Sequence, residues 1–348
     1  MIQEIDIDEA LHRNDLVFVD VRSESEFEED TIIGSYNIPV LNDEERKHVG
    51  YVYTQINKEE AKRIGLEYAS RKLVTFYDKA DEIRKSNKNI ALFCFRGGMR
   101  SNSIARVLEI MGIKVYLIKG GYKSYRKYVV KQLYNYKGKF KYIVLHGYTG
   151  TGKTKILSLL EKQGKSILNL EELAHNSGSV FGNIAFEGQS YSQKKFESLL
   201  LKKFQEFVGN YVFTESESKK VGRAVIPNFL MEDMEEGYHI LIDTCLENRV
   251  KNIMDDYISI SSFSKDIEIE KAIMRLTQKL GIKKVDVLIE ELNNKNYSLV
   301  IRELMISYYD PLYRYSIEKI DKYDDVIEYS HIENALEQLN EFVSKLNL

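Results

Sequence analysis

Residues 142–154 read Tyr142-Ile-Val-Leu-His-Gly147-Tyr-Thr-Gly150-Thr-Gly152-Lys153-Thr154. Four apolar residues run into a glycine-rich stretch, and a Lys-Thr pair then opens a helical pattern. The spacing Gly-x4-Gly-Lys-Thr between a strand and a helix is that of a phosphate-binding loop. Gly147, Gly150 and Gly152 let the backbone N–H groups turn inward around a di- or triphosphate. Lys153 reaches the terminal phosphates, and the Thr154 hydroxyl is placed to ligate Mg²⁺. This stretch predicts an open α/β sheet with an anion site at the end of one strand.

Toward the C-terminus, Tyr211–Thr214 and His239–Asp243 are further short apolar runs and read as strands of the same sheet. Asp243 ends the second run. It is a candidate metal-linked carboxylate, or equally a cap for the helix that follows. Glu215 and Glu217 follow the first run and are candidates for a metal-linked acid or a base, against solvated loop acids. Cys245, in an apolar context, reads as a core residue. From Ile267 the pattern turns helical and charged, which predicts a helical C-terminus.

Toward the N-terminus, Leu16–Val21, Ile90–Cys94 and Lys114–Ile118 are apolar runs of strand length. Ser101–Met111 has a helical pattern with Ile104, Leu108 and Met111 on one face and Gly112 as its stop. Strand-helix-strand alternation predicts a parallel-sheet α/β domain here as well. The chain therefore divides into residues 1–137 and residues 138–348, joined near a basic helix from Lys123 to Tyr136.

The first half carries its own motif, Cys94-Phe-Arg96-Gly97-Gly98-Met-Arg100-Ser101, between a strand and a helix. Such a loop can point its N–H groups inward as an anion-binding nest. Arg96, Arg100 and the helix N-terminus add positive potential, and each lowers the thiol pKa. A thiolate there can attack, or can carry sulfur or selenium. The alternative is a structural cysteine beside a glycine-rich turn. The spacing Cys-x5-Arg is one residue longer than in common sulfurtransferases and suits a larger anion.

Between Lys119 and Lys141 lie eight Lys/Arg and no acid, interleaved with tyrosines. Lys123, Arg126, Lys127 and Lys131 are candidate RNA-backbone contacts, with tyrosines available to stack on bases. A solvated bridging helix is the alternative. The whole chain, at 348 residues and a formal charge of −3, has no excess of charge with which to coat nucleic acid or membrane. Two cysteines far apart exclude a disulfide framework, and the six scattered histidines show no zinc spacing. The N-terminus lacks a signal-peptide pattern, and no apolar run is long enough to span a bilayer. A cytoplasmic protein is expected, with no membrane and no obligate protein partner.

Asp20-Val-Arg22, Glu26-Phe27 and Gly34-Ser-Tyr-Asn-Ile-Pro39 resemble the opening of a rhodanese domain, and Lys119-Gly-Gly-Tyr122 its closing segment. A rhodanese domain fused to a P-loop domain is similar to the bacterial tRNA 2-selenouridine synthases. The Cys94 loop resembles that family's version. So do Asn42-Asp-Glu-Glu-Arg46 with Val49-Gly50, Leu170-Glu-Glu-Leu-Ala174 with Gly178-Ser-Val-Phe-Gly182, Glu215-Ser-Glu-Ser218 with Val221-Gly222, Leu246-Glu-Asn-Arg249-Val250 and Tyr309-Asp-Pro-Leu-Tyr313. The resemblance runs from Val17 to Tyr313, through both halves.

The resemblance implies a transferase that replaces the sulfur of wobble-position 2-thiouridine, in the anticodon of tRNA, with selenium from selenophosphate. It implies an S-geranylated intermediate made from geranyl diphosphate. On this expectation the P-loop holds the departing diphosphate, and Cys94, Arg96, Gly97, Gly98, Arg100 and Ser101 handle selenium. No metal follows from the residues alone, although Mg²⁺ fits Thr154. Three rivals remain open: an ATP-dependent kinase or sulfurtransferase with a rhodanese domain acting on RNA or a small molecule, a non-catalytic sensor, and a phosphatase.

Overall fold

A computed structural model describes residues 2–86, 88–176, 190–258 and 263–346. The chain forms two compact units: Met1–Asn135 with Ser192–Lys202, and Tyr136–Tyr191 with Lys203–Leu348. The Gly178–Gly182 motif lies outside the described residues.

The first unit runs β1 (Gln3–Ile5), α1 (Ile7–Leu11), β2 (Leu16–Asp20), α2 (Glu24–Glu29), β3 (Tyr36–Asn37), α3 (Asp43–Gln55), α4 (Lys58–Ser70), α5 (Leu73–Lys85), β4 (Asn89–Phe93), α6 (Met99–Ile110), β5 (Val115–Ile118) and α7 (Gly121–Tyr134). Its sheet has the order β1-β5-β4-β2-β3, and every pairing is parallel. β4 is central and buried from Ile90 onward, as an almost wholly apolar strand between two neighbours must be. α6 buries Ser101, Ile104, Ala105 and Leu108, one helical face, and Gly112 follows it with φ +78°. α3 starts on a capping box in which Asn42 and Glu45 satisfy each other's free N–H groups.

The second unit runs β6 (Lys141–His146), α8 (Lys153–Lys162), β7 (Ser166–Leu168), α9 (Leu170–Leu173), α10 (Gln193–Glu206, whose first ten residues belong to the first unit), β8 (Tyr211–Glu215), β9 (Lys220–Val221), β10 (Ala224–Val225), α11 (Asn228–Glu235) and β11 (Tyr238–Asp243). It continues with α12 (Leu246–Ile258), α13 (Phe263–Met274), α14 (Thr277–Leu280), α15 (Ile282–Asn293), α16 (Tyr297–Leu304), a π-helical turn (Met305–Tyr309), α17 (Asp310–Glu318), β12 (Asp325–Glu328) and α18 (Ile332–Lys345). The main sheet is parallel with the order β12-β11-β6-β8-β7, so β6, which feeds the phosphate loop, is central.

The helical C-terminus predicted from the sequence contains one strand that was not expected. β12 pairs with β11 and closes the sheet edge, with only Ile327 of its four residues buried. An exposed edge strand needs no apolar run, which is why Asp325-Val-Ile-Glu328 gave no signal. α13, α15, α16 and the π-turn pack around Ile269, Ile273, Val285, Leu288, Leu292, Val300, Leu304 and Tyr309, a core distinct from that of the sheet.

Candidate active site

In the first unit, Cys94 follows β4 and is only 3% exposed. Its backbone side joins the apolar core, while its sulfur faces the loop that follows. The Gly98 N–H and the Ser101 hydroxyl each donate to Sγ at 3.2 Å. Burial pushes the thiol up, but the Ser101 hydroxyl and N–H, the Arg96 N–H and the charge of Arg100 outweigh it and hold the pKa below the usual thiol value. Donors from the loop and from α6 therefore point at the sulfur, which lies at the floor of the loop.

Gly97 and Gly121 let the loop pack closely against the start of α7. Gly121 has φ +57°, and a Cβ there would lie 2.2 Å from the Cys94 carbonyl oxygen and 2.5 Å from the Gly97 nitrogen. Such contact admits only glycine. The N–H groups of Tyr122 and Lys123 then donate to the carbonyls of Cys94 and Phe95 at 2.8 and 3.0 Å.

The two arginines of the loop differ. Arg96 is exposed. Arg100 donates to Glu26 Oε2 at 2.8 Å, and Arg46 on α3 holds the same oxygen at 2.9 Å. Glu26 opposes its own burial with this cationic surround, and its pKa falls below the ordinary carboxylate value. Nearby, Asp20 and Arg22 form a fully buried pair at 2.6 Å, and the Arg22 guanidinium lies 3.8 Å from the centre of the Tyr122 ring. This ion pair anchors the turn after β2 beneath α7.

On α7, Lys123, Lys127 and Lys131 are exposed at four-residue spacing and so share one face. Arg126 turns inward, pairs with Glu197 and Asp30, and donates to the Lys194 carbonyl at 3.0 Å. Tyr122 and Tyr125 are buried, so they are not available for base stacking; Tyr134 is exposed. A helix half-covered by neighbours must spend its aromatics on the core side, and alternation with lysines in the sequence cannot separate the two faces.

In the second unit the loop from Gly147 to Thr154 adopts the left-handed turns its glycines permit. Gly150 has φ +81°, and a Cβ there would meet the Arg249 carbonyl oxygen at 2.7 Å. Lys153 Nζ donates to the carbonyls of Gly147 and Tyr148 at 3.0 and 3.3 Å, lying across the loop. The Thr154 hydroxyl donates to Glu215 Oε1 at 2.7 Å. Glu215 ends β8, beside β6, so of the three candidate acids it is the one in contact with the loop. Asp243 Oδ1 accepts from the Thr244 N–H at 2.8 Å, a local cap at the end of β11. Glu217 lies within electrostatic reach of Glu171 and Glu215. Burial first, and those two charges second, push its carboxyl up to about 8 despite Lys153.

Several loop supports had no role assigned from the sequence. Arg249 donates to the Thr149 carbonyl at 2.9 Å and makes a two-pronged pair with Asp310 at 2.5 and 3.1 Å. Asn252 donates to the Gly150 carbonyl at 2.9 Å, and the Tyr329 hydroxyl to that of Thr151 at 3.0 Å. His146, the last residue of β6, is 2.9 Å from His239, and burial together with His239 and Lys153 lowers its pKa to about 3. The Arg249 and Asp310 strings were visible as motifs, and the structure joins them; Asn252 and Tyr329 left no local signature. Cys245 is exposed, contrary to the core reading, because it sits in the turn between β11 and α12 where the apolar strand has already ended.

No group of three or more His, Cys, Asp or Glu side chains able to hold a metal is found among the described residues. Nor is any described helix long and apolar enough to cross a membrane.

Residues 140–345 match the tRNA 2-selenouridine synthase AAA domain, and residues 5–128 match the rhodanese-like domain. Three relatives, each named tRNA 2-selenouridine synthase, align over nearly the whole chain. That of Nitrosomonas eutropha is 31% identical, covering 90% of this chain and 92% of its own. That of Shewanella pealeana is 29% identical, covering 88% and 90%. That of Nitrosomonas europaea is 30% identical, covering 89% and 91%. A thiol nest in one unit, a phosphate loop in the other and similarity running through both place this chain in the tRNA 2-selenouridine synthase family.

Proposed function

We propose that the chain is a tRNA-modifying transferase that exchanges the sulfur of wobble 2-thiouridine for selenium in two steps. In the first, the thiocarbonyl sulfur attacks C1 of geranyl diphosphate, the C1–O bond breaks and diphosphate leaves. In the second, the selenium of selenophosphate attacks C2 of the S-geranylated base, the C2–S bond breaks and geranyl thiol leaves; water then cleaves the Se–P bond and releases phosphate, leaving 2-selenouridine.

One observation carries the assignment. The chain holds two anion cradles of different chemistry, one around a lysine and one around a thiol. The loop N–H groups and Lys153 suit the departing diphosphate, whose negative charge grows as the carbon–oxygen bond breaks. Mg²⁺ at this loop would be held by Thr154 and Glu215, which already face each other, with phosphate oxygens and water completing its shell. When bound, it would supply further neutralisation of the diphosphate. Glu217, protonated at neutral pH, can donate a hydrogen bond to a phosphate oxygen where an ionised acid would repel it. The Cys94 nest, with Arg96, Gly97, Gly98, Arg100 and Ser101, suits selenophosphate. The exposed lysines of α7, a helix that begins against this nest, suit the tRNA backbone.

The test is incubation with 2-thiouridine tRNA, geranyl diphosphate and selenophosphate, followed by nucleoside mass spectrometry. Wild-type chain should yield 2-selenouridine, Lys153→Ala should leave 2-thiouridine, and Cys94→Ala should accumulate the S-geranyl nucleoside. The reverse pattern for the two variants would overturn the division of labour.

A further inference from the structure

Residues 271–284, Lys271-Ala-Ile-Met-Arg275-Leu-Thr-Gln-Lys279-Leu-Gly-Ile-Lys283-Lys284, hold five cations and no acid in a chain that is otherwise almost balanced in charge. The fold gathers them. α13 and α15 pack on each other through Ile269, Ile273, Val285 and Leu288, with the short α14 between them. Lys271 and Arg275 therefore stand at the end of one helix, Lys279 in the connection and Lys283 at the start of the next, all at the same tip. All four are exposed, and none forms an ion pair among the described residues. Lys279 lies 5.4 Å from the centre of the Tyr308 ring, which holds its ammonium on the surface. Lys284 is tied to Glu303 at 3.1 Å and does not share this freedom.

Two features separate this tip from an ordinary solvated surface. Elsewhere on the chain, exposed cations are commonly paired with acids one helical turn away, as in Lys62–Glu59, Arg63–Glu60 and Lys79–Glu82. Here that pairing is missing. In addition, α15 opens on Lys283 and Lys284 with no acid in its first turn, although the helix dipole disfavours cations at that end. Like charges gathered against the local field repel one another, and a bound polyanion would relieve that repulsion. Four exposed cations gathered at one tip suit a ligand bearing a phosphate on every residue.

We infer that this tip, formed by Lys271, Arg275, Lys279 and Lys283, is a binding surface for the RNA backbone. It shares no residue with either anion loop or with α7. The inference rests on the tRNA reading above and names a surface that reading does not contain. Its contacts go to phosphates, so they set affinity and orientation and not the choice of base.

The test uses the full chain and a variant with Lys271, Arg275, Lys279 and Lys283 all changed to Gln, titrated against an unmodified tRNA transcript by fluorescence anisotropy across a salt series. Loss of four phosphate contacts should weaken binding about tenfold or more at low salt. It should also make the slope of log affinity against log salt shallower by about three. A companion variant with the three lysines changed to Arg and Arg275 to Lys should keep wild-type affinity and slope. If the wild-type chain itself fails to bind tRNA, the functional reading falls and takes this surface with it. If wild type binds and the Gln variant binds equally with the same slope, the functional reading stands and the surface is wrong. A polyglutamate probe bound as tightly as tRNA, and lost equally on substitution, would assign the tip to an acidic protein and overturn the RNA assignment.

Discussion

Removing the Ser101 hydroxyl tests how the thiol nest works. Cys94 is enclosed, and burial alone would keep its sulfur protonated. Two donors at 3.2 Å, the Gly98 N–H and the Ser101 hydroxyl, oppose this, and only the second can be deleted without touching the backbone. A hydrogen bond to a charged group contributes about 1.5–3 kcal/mol, and one pH unit corresponds to about 1.4 kcal/mol. Ser101→Ala should therefore raise the titration midpoint of Cys94 by about one to two pH units. The assay is the pH dependence of alkylation by a small iodoacetamide, read at Cys94 by peptide mass spectrometry. A Cys245→Ser background is needed, because that exposed thiol would otherwise dominate the signal. The hydroxyl also accepts no structural burden beyond a 3.3 Å contact to the Gly98 carbonyl, so the fold should survive. An unchanged midpoint in a folded variant would refute the claim that side-chain donation, and not loop geometry alone, holds the thiolate.

Three further expectations follow from contacts elsewhere in the two units. Gly121→Ala would drive a Cβ to 2.2 Å from the Cys94 carbonyl, so the nest should open, with a loss of about 3 kcal/mol or more in thermal or denaturant unfolding. An unfolding curve like wild type would mean the loop can move away at little cost. Asp310→Ala leaves Arg249 buried without its partner, and a loss of about 3–5 kcal/mol is expected, together with weaker diphosphate binding by calorimetry. Normal diphosphate affinity would show that the pair does not support the loop. His146 titrates near 3 in the folded chain and near its ordinary 6.5 when unfolded, so the unfolded state takes up its proton first as pH falls. Its contribution to stability is complete above pH 6.5 and should decline by about 1.4 kcal/mol per pH unit below that. Glu217, raised to about 8, imposes the opposite slope between 4.5 and 8. The measurement is accordingly the difference in denaturant stability between wild type and His146→Gln across pH, and a difference independent of pH would contradict the buried neutral histidine.

What the sequence made legible was what is local. The strands Ile90–Cys94 and Tyr142–Leu145 are continuous apolar runs because both faces of a central parallel strand are covered, and the loops after them carry their chemistry in consecutive residues. Edge strands such as Asp325–Glu328 lack that constraint and read as helix or loop. The partners of the site residues were hidden for a different reason. Glu26 meets Arg100 from 74 residues away, and Arg249 meets Asp310 from 61. The separate strings were visible, but only the fold joins them. Charge spacing showed that α7 is basic without showing which cation faces inward. Arg126 and Lys127 are adjacent in sequence, and one pairs with Glu197 while the other is exposed.

The claim that two cradles divide the chemistry is tested most directly by bypassing the first of them. Given tRNA already carrying S-geranyl-2-thiouridine, together with selenophosphate and no geranyl diphosphate, Lys153→Ala should form 2-selenouridine at close to the wild-type rate while Cys94→Ala forms none. Selenation lost in the lysine variant, or retained in the cysteine variant, would contradict the account.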